Sequence, residues 1–331
     1  MYMRILIPLL FIVFLSACSE QKSTSYKPKV FTKVDNISSL PELRQFVKSV
    51  DSSLQKFITK SPKFYGMNSR NLVATLKHRL DSMFPNFTFI KEDFDGNGYT
   101  DLVVTGEYYE NELLVLAIMN DGKEKYTAIP LNLRYHDDFP TYPKLVYKDQ
   151  IPVIELYSSH AFAERSENGI SKTTLRYKFG TFIDYVKPSK AYEIANIEFR
   201  THGCHGYCPV YELILNENST STFKAKYHNF GKERIADIKN EEGEFETIIR
   251  KEDYMELCNI ISYLQIKNYY DDYFSGSMHS ASATLKVHFK DGTTKTIEDD
   301  GMAATNGLVY LYNKLSAIRF NQDWKEIDTV N

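Results

Sequence analysis

The residues best suited to chemistry lie in one short acidic segment, Asp93-Phe94-Asp95-Gly96-Asn97-Gly98-Tyr99-Thr100-Asp101. Side-chain oxygens recur at the alternate positions Asp93, Asp95 and Asn97, and Gly98 permits a sharp turn that would wrap them around one ion. Tyr99 can add a backbone carbonyl, and Asp101 can complete the shell. Calcium takes about six to eight oxygen ligands at about 2.3–2.6 Å. The spacing therefore predicts a calcium site with a structural role.

The flanks of this segment distinguish between related kinds of calcium loop. An EF-hand carries a bidentate Glu at the twelfth position, but Val104 stands there in this chain, and a strand is expected after the loop. The segment instead resembles the Asp-x-Asp-x-Asn-Gly-x-x-Asp loops of integrin-like and dockerin-like modules. That resemblance implies the same five ligands, Asp93, Asp95, Asn97, Tyr99 and Asp101. The alternative interpretation is an ion-free turn, held by hydrogen bonds from side chains to the backbone.

The N-terminus carries a pattern typical of export. Arg4 precedes an apolar stretch from Ile5 to Leu15, and Leu15-Ser16-Ala17-Cys18 follows. The stretch is shorter than the roughly 20 residues that span a bilayer, and it fits a secretory signal. It resembles the lipobox of bacterial lipoproteins, which implies a signal peptide at residues 1–17 and a lipid anchor on Cys18. Because Ser19 rather than Asp comes next, the resemblance favours the outer membrane, facing either the periplasm or the cell surface. An ordinary signal peptide with an incidental cysteine is the alternative.

A second group of reactive side chains lies in His202-Gly203-Cys204-His205-Gly206-Tyr207-Cys208-Pro209. Outside the cytoplasm two such cysteines form a disulfide by default, and the two glycines allow the tight loop that the bond needs. We therefore predict a Cys204–Cys208 disulfide. A metal site that uses both thiolates with His202 and His205, a redox-active pair and two free thiols stay open as alternatives. Cys258 lies on the apolar face of an expected helix and is interpreted as a buried, inert thiol.

No catalytic constellation stands out in the sequence, and no catalytic residue is predicted. Glu107 with Glu110, and Asp271 with Asp272, could cleave a glycosidic bond only at separations of roughly 5–10 Å. Such sequence neighbours are more often solvated loop charges, and the Gly-x-Ser-x-Gly and His-Glu-x-x-His motifs are absent. The net charge is −3 and no basic block occurs, so we expect no nucleic-acid partner.

The elements that must position these groups divide the chain into several parts. Residues 18–36 are polar and are predicted to be a flexible tether. Residues 37–187 are predicted to form a first α+β domain that contains the calcium-type loop. It begins with a capping box at Ser39 and Glu42, continues with a second helix over 72–83, and ends in short strands separated by turns such as Asn120-Asp121-Gly122.

The segment Lys187-Pro188-Ser189-Lys190 is the best candidate for a boundary between domains. Residues 192–325 are predicted to form a second α+β domain, in which strands alternate with helices near 254–264 and 308–318. We therefore expect an α+β protein of two domains, each an antiparallel sheet packed with helices.

The second domain carries a recognisable signature. The segment Cys204-His205-Gly206-Tyr207-Cys208-Pro209-Val210-Tyr211 resembles the Cys-x-Gly-x-Cys-Pro-x-Tyr signature of a domain of unknown function, family 6438. A helix near 254–264, a hairpin through Asp291-Gly292 and a closing helix before Trp324 fit the same family. The resemblance covers about Ile194 to Trp324. It implies that these residues form one domain of this family, but it implies no biochemical activity.

These patterns together lead to an expectation about function. We expect a membrane-anchored lipoprotein of the cell envelope that is a non-enzymatic binding or structural module. Its partners would be the membrane, through the lipid anchor, and an unknown envelope protein or glycan. A hydrolase of envelope polymers or glycans, and a thiol–disulfide oxidoreductase that uses Cys204 and Cys208, are the alternatives.

Overall fold

A computed structural model describes residues 29–62, 71–84, 89–108, 112–132, 140–158, 169–187, 189–229, 242–274 and 280–327. The predicted signal peptide, Cys18 and Glu110 lie outside these described residues. Within the ranges given, no helix is long and apolar enough to cross a membrane.

The helices lie near the start of the chain and in its last third. They are α1 (Lys33–Asn36), α2 (Leu40–Val50), α3 (Asn71–Met83), α4 (Lys251–Leu264) and α5 (Asn306–Asn321), with short 3-10 helices at Ser52–Lys56 and Ile266–Asn268. The predicted capping box at the start of α2 is confirmed. The Ser39 backbone N–H donates to the Glu42 carboxylate at 3.0 Å, and the Glu42 N–H donates to the Ser39 hydroxyl at 3.5 Å. Both bonds satisfy N–H groups that a helix start leaves unpaired.

The first sheet holds the acidic segment. Its strands are β1 (Ile58–Thr59), β2 (Phe89–Glu92), β3 (Asp101–Tyr108), β4 (Glu112–Asn120) and β5 (Tyr126–Pro130), and all pairs are antiparallel. The order is β1-β3-β4-β5, and β2 also pairs with β3. Leu102, Val103 and Val104 in β3 are each 0% exposed, so this strand is buried on both faces. One face packs against α1 and α2, where Leu102 and Val104 join the same apolar cluster as Leu43.

The second sheet covers the other face of the first. Its strands are β6 (Thr141–Lys148), β7 (Ile151–Ser158), β8 (Ser171–Lys178) and β9 (Thr181–Asp184), antiparallel and in sequential order. Val103 and Val115 of the first sheet form one buried cluster with Ile154, Leu175 and Phe182 of the second. The two sheets therefore pack face to face, as in a β-sandwich.

The third sheet forms the C-terminal part. Its strands are β10 (Ile194–His202), β11 (Val210–Asn216), β12 (Thr220–Tyr227), β13 (Gly243–Ile248), β14 (Asp272–Phe274), β15 (Ser282–Phe289), β16 (Thr294–Asp300) and β17 (Lys325–Glu326), in the order β14-β16-β15-β10-β11-β12-β13-β17. Side chains of α4 and α5, such as Leu257 and Leu311, share a core with Leu213 on one face of the sheet. The other face carries ion pairs such as Arg200–Glu212 at 2.8 Å.

The predicted α+β architecture, in which each sheet packs with helices, is wrong. The described chain is mostly β, with three sheets rich in antiparallel pairing and few helices. The second sheet accounts for most of the difference, because it buries its apolar face against another sheet. An apolar strand face must be covered, but the strand pattern does not say whether a helix or a sheet covers it.

The two predicted domains are in contact through β9 and the start of α5. Ile183 of β9 belongs to the core of the third sheet, whereas its neighbour Phe182 belongs to the core between the first two sheets. The Gly307 N–H donates to the Asp184 carboxylate at 2.7 Å. A Cβ atom on Gly307 would lie 2.3 Å from Leu264 and 2.8 Å from that carboxylate, so only glycine allows this close approach.

Candidate functional site

The acidic segment forms the connection between β2 and β3. Because these strands pair antiparallel with Glu92 opposite Asp101, residues 93–100 close a loop at the end of the first sheet. Ligand oxygens of Asp93, Asp95 and Asp101 all lie within 4.8 Å of one another. In the parts of the chain that the structure describes, no other group of three His, Cys, Asp or Glu residues converges in this way. The structure therefore brings together the three carboxylates that the sequence analysis selected.

Backbone N–H groups shape the loop around Asp93. Its carboxylate accepts hydrogen bonds from the N–H groups of Gly96 at 2.8 Å, Asn97 at 3.1 Å and Gly98 at 2.9 Å. This wrapping needs Gly96 and Gly98 at φ values of 73° and 91°, in the left-handed region that glycine adopts without strain. The loop therefore points several donors inward at one carboxylate, and the carboxylate keeps lone pairs for a further partner.

Asp101 is the buried member of the cluster, at 0% exposure. Its two oxygens accept the N–H groups of Phe94 at 2.9 Å and Asn120 at 2.7 Å. Burial raises the pKa of Asp101 to about 8 against the opposing effect of these two bonds, and the nearby carboxylates of Asp95 and Asp93 raise it further. Burial also raises the pKa of Asp95. The cluster therefore resists carrying its full negative charge without a compensating cation.

No side-chain cation supplies that compensation within the described ranges, where no Lys, Arg or His forms a salt bridge with Asp93, Asp95 or Asp101. An isolated buried carboxylate is costly unless it is paired, protonated or bound to a metal. Three hard oxygen donors within a few ångströms match the preference of calcium. The donor set fits that ion on charge and on ligand type.

The two neutral ligands of the sequence analysis lie beside the carboxylates. The Asn97 amide oxygen accepts the Tyr99 N–H at 2.7 Å, and the amide nitrogen donates to Asp95 at 3.0 Å and to the Asn120 carbonyl at 2.8 Å. The ring of Tyr99 packs against Gly122, where a Cβ atom would lie 2.6 Å from it. Asn97 therefore turns its amide nitrogen, rather than its oxygen, toward Asp95.

Asn120 is a functional residue that the sequence analysis missed, because Asn120-Asp121-Gly122 was interpreted only as a turn. Its backbone binds Asp101 and Asn97, and its amide nitrogen donates to the Thr32 hydroxyl at 3.1 Å and the Thr100 carbonyl at 3.2 Å. Asn120 therefore ties the acidic loop to β4 and to the start of the body. No spacing rule in the sequence joins a residue of β4 to a loop some twenty positions earlier.

Tyr177 is a second residue that the sequence analysis missed. Burial, together with the nearby carboxylates of Asp95 and Asp101, raises the pKa of Tyr177. Because Tyr177 lies in β8, the second sheet borders the carboxylate cluster. The residue pattern of β8 gave no indication in the sequence that Tyr177 lies near the acidic loop.

The end of the predicted tether packs against the same loop. The Val30 N–H donates to the Gly98 carbonyl at 2.8 Å, and the Thr100 hydroxyl donates to the Asp35 carboxylate at 2.7 Å. Val34, in α1, is 0% exposed. Residues 29–36 therefore belong to the folded body, and they pack against the acidic loop at the end of the first sheet.

The second group of reactive side chains forms a disulfide. Cys204 and Cys208 are bonded, with Cα atoms 5.6 Å apart, in the connection between β10 and β11. The bond leaves no thiolates for the alternative metal site, and His202 instead contacts the Thr284 hydroxyl at 3.1 Å. Burial, with Glu217 nearby, raises the pKa of the Cys258 thiol to about 12, as expected for an unreactive cysteine.

The neighbouring acids considered for hydrolysis have structural partners. Glu107 forms an ion pair with Lys60 at 3.2 Å, and Asp271 forms one with Lys295. Asp272 is exposed in the short edge strand β14, and Glu110 lies outside the described residues. Glu107 is half-buried and ion-paired, whereas Asp271 and Asp272 are exposed.

Fold and site together define a mostly β protein with a carboxylate-lined loop on its first sheet and a disulfide-closed loop on its third. Residues 195–319 match the family model described as "Domain of unknown function (DUF6438)". This match confirms the predicted resemblance for the C-terminal part and covers β10 through most of α5. No curated protein and no solved structure gives a match to the chain.

Proposed function

We propose that this protein is a lipid-anchored component of the bacterial cell envelope that acts as a non-enzymatic binding or structural module, with one calcium ion closing its acidic loop. The observation that carries the calcium part is the approach of three carboxylates to within 4.8 Å of one another. Asp93, Asp95 and Asp101 would hold the ion, with the Tyr99 carbonyl as a further donor; the Asn97 amide oxygen would join them once the amide rotates away from its present bonds to Tyr99 and Asp95.

The proposed ion has a structural role because of what the loop fastens. The loop contacts the incoming chain through Gly98 and Val30, and β4 through Asp101 and Asn120. Calcium would replace the proton that burial favours on Asp101 and would hold these segments in place. Extracellular calcium modules bind at roughly 10⁻⁴–10⁻³ M, so an ion in the surrounding medium would fill the loop.

The envelope location rests on the N-terminal pattern and agrees with both loops. The apolar stretch before Cys18 supports export and lipidation, and the outer membrane is the proposed destination. A disulfide persists in such an oxidising compartment. The ion pairs of Glu107 and Asp271 support a non-enzymatic role over a hydrolase.

Calcium titration of the purified mature protein tests the metal part of the proposal. Isothermal titration calorimetry should give one site per chain in the wild type and no measurable binding in Asp95→Asn. Asp121→Asn, which removes an exposed carboxylate in a neighbouring turn, is the matched control and should bind as the wild type does. Equal binding by all three proteins, or by none of them, would remove calcium from the proposal.

Metabolic labelling tests the anchor. A clickable fatty acid fed to expressing bacteria should label the full chain, and Cys18→Ala should abolish the label. Cys258→Ala should keep it. Unlabelled wild-type protein that still begins at Met1 would refute the lipoprotein assignment.

A further inference from the structure

A cavity lies where the second sheet meets the start of α5. Its volume is about 110 Å³. Hydroxyl and carboxyl groups in its lining come from Thr141, Ser158, Ser171, Thr173, Asp184 and Thr305, and apolar surface comes from residues such as Leu131, Leu156 and Ala304. The cavity therefore combines a set of hydroxyl groups with apolar wall, and it is shared between the two predicted domains.

Strand register explains why hydroxyl groups gather there. Ser158 of β7 is paired with Thr141 of β6 on one side and with Ser171 of β8 on the other, so the three form one row across the sheet. Residues two apart on a strand share a face, so Ser158 follows Ile154 and Leu156 on the face that packs toward the first sheet. The apolar core therefore ends in a row of hydroxyl groups at the cavity.

Ser158 lacks a partner that its burial demands. The residue is 7% exposed, and its hydroxyl oxygen has no hydrogen-bond partner in the described protein. A buried hydroxyl left unsatisfied costs about 1–3 kcal/mol. A molecule in the cavity that offers a hydroxyl group could remove this cost, because a hydroxyl both donates and accepts.

The opposite wall makes the cavity suitable for a neutral molecule. Two N–H groups at the N-terminus of α5 already have partners. The Gly307 N–H donates to the Asp184 carboxylate at 2.7 Å, and the Leu308 N–H donates to the Thr305 hydroxyl at 3.1 Å. No Lys or Arg is among the described residues that line the cavity, so this part of its wall offers an anion no basic side chain. Burial raises the pKa of the Asp184 carboxyl, which weakens its attraction for a cation.

We infer that this cavity binds one end of a neutral polyhydroxylated ligand, a terminal sugar of an envelope glycan. The inference rests on the proposed function as a binding module and names its ligand class. About 110 Å³ is room for roughly four water molecules at about 30 Å³ each, and it is below the roughly 300 Å³ of usual ligand pockets. One edge of a sugar therefore fits, with its hydroxyl groups toward Ser158 and its C–H groups toward Leu131 and Leu156.

Saturation-transfer NMR on the mature protein tests this inference with glucose, N-acetylglucosamine and glycerol as probes, and with glucose 6-phosphate as the charged counterpart. At least one neutral sugar should give saturable transfer at millimolar concentration. Ser158→Ala should weaken its binding about fivefold. The same substitution should leave the melting temperature equal or higher, because it removes an unpartnered buried hydroxyl. Thr222→Ala, which removes a hydroxyl from the third sheet, is the control and should bind as the wild type does.

Three results would overturn the inference. They are no saturable transfer from any neutral probe, unchanged binding by Ser158→Ala, and tighter binding of glucose 6-phosphate than of glucose. If Ser158→Ala fails to fold, Thr173→Val provides the same comparison from the adjacent strand. Calcium titration separates this failure from that of the proposed function. Calcium binding without sugar binding removes only the cavity inference, and sugar binding without calcium binding removes only the metal.

Discussion

The pH dependence of the calcium effect tests the acidic loop most sharply. Burial and the charges of Asp95 and Asp93 raise the pKa of Asp101 from 3.8 to about 8. The folded, ion-free protein therefore holds a proton that the unfolded chain releases. It follows that this group makes the ion-free protein less stable as pH rises from about 4 to about 8. A bound calcium ion replaces the proton and should offset part of this loss.

The magnitude follows from the pKa difference. Each pKa unit corresponds to about 1.4 kcal/mol, so an interval of about four units sets a ceiling of roughly 6 kcal/mol. Relaxation of the loop and entry of water lower the penalty of a buried charge, and we expect at least about 2 kcal/mol to be measured. For a chain of this size, about 2 kcal/mol corresponds to a fall in melting temperature of roughly 3 °C.

The assay compares melting temperatures from about pH 5 to pH 8, with metal-free protein and with about 5 mM calcium. At pH 8 calcium should stabilise the protein by about 1–2 kcal/mol, as expected for a dissociation constant of about 10⁻⁴–10⁻³ M. Near pH 5 the effect should vanish, because protons compete with the ion for the carboxylates. Asp101→Asn should abolish the calcium effect at every pH, and Asp121→Asn should retain it. A calcium shift of equal size at pH 5 and pH 8 would refute the reasoning.

Three further substitutions test other parts of the structure by urea denaturation. Cys208→Ser should cost about 2 kcal/mol, because the disulfide closes a short loop with a sequence separation of 4; a reductant should destabilise the wild type and Cys258→Ala but leave Cys208→Ser unaffected. Gly307→Ala should cost about 1–3 kcal/mol through overpacking, although alanine favours a helix; Asn313→Ala, exposed in the same helix, should be neutral or slightly stabilising. Asn120→Ala should cost about 2 kcal/mol and weaken calcium binding, since its amide joins the loop to the start of the body; an unchanged midpoint would contradict that role.

Features set by local rules were predictable from the sequence. The capping box of Ser39 and Glu42, the strands bounded by turn residues, and the carboxylates at alternate positions each follow from spacing within a few residues. The same holds for the disulfide, whose partners are four positions apart. In each case the residues that interact are close in the chain, so the sequence pattern alone is enough to predict their contact.

Features that depend on long-range packing were not predictable in the same way. One sequence signal does point to such packing. Leu102 to Val104 and Leu113 to Met119 are continuous apolar runs, which are typical of strands covered on both faces. That signal favours a second layer over the first sheet, but it does not identify the layer. Tyr177 lies near the carboxylates of Asp95 and Asp101, and Asp184 contacts the start of α5, only because of how the sheets pack.

Two other carboxylates with raised pKa values, Asp299 and Asp184, show by contrast why the acidic loop calls for an ion. Asp299 is 1% exposed and accepts the N–H groups of Ala303 and Ala304, and Asp184 accepts the N–H of Gly307. Burial raises the pKa of both, so each adds its own loss of stability as pH rises. Among the described residues, neither belongs to a converging group of three, whereas Asp101 accepts two N–H groups and still faces two further carboxylates. Calcium can therefore affect only the part of the pH dependence that belongs to Asp101 and its neighbours. The difference between the stability–pH curves with and without calcium thus isolates the metal site, because Asp184 and Asp299 contribute equally to both curves.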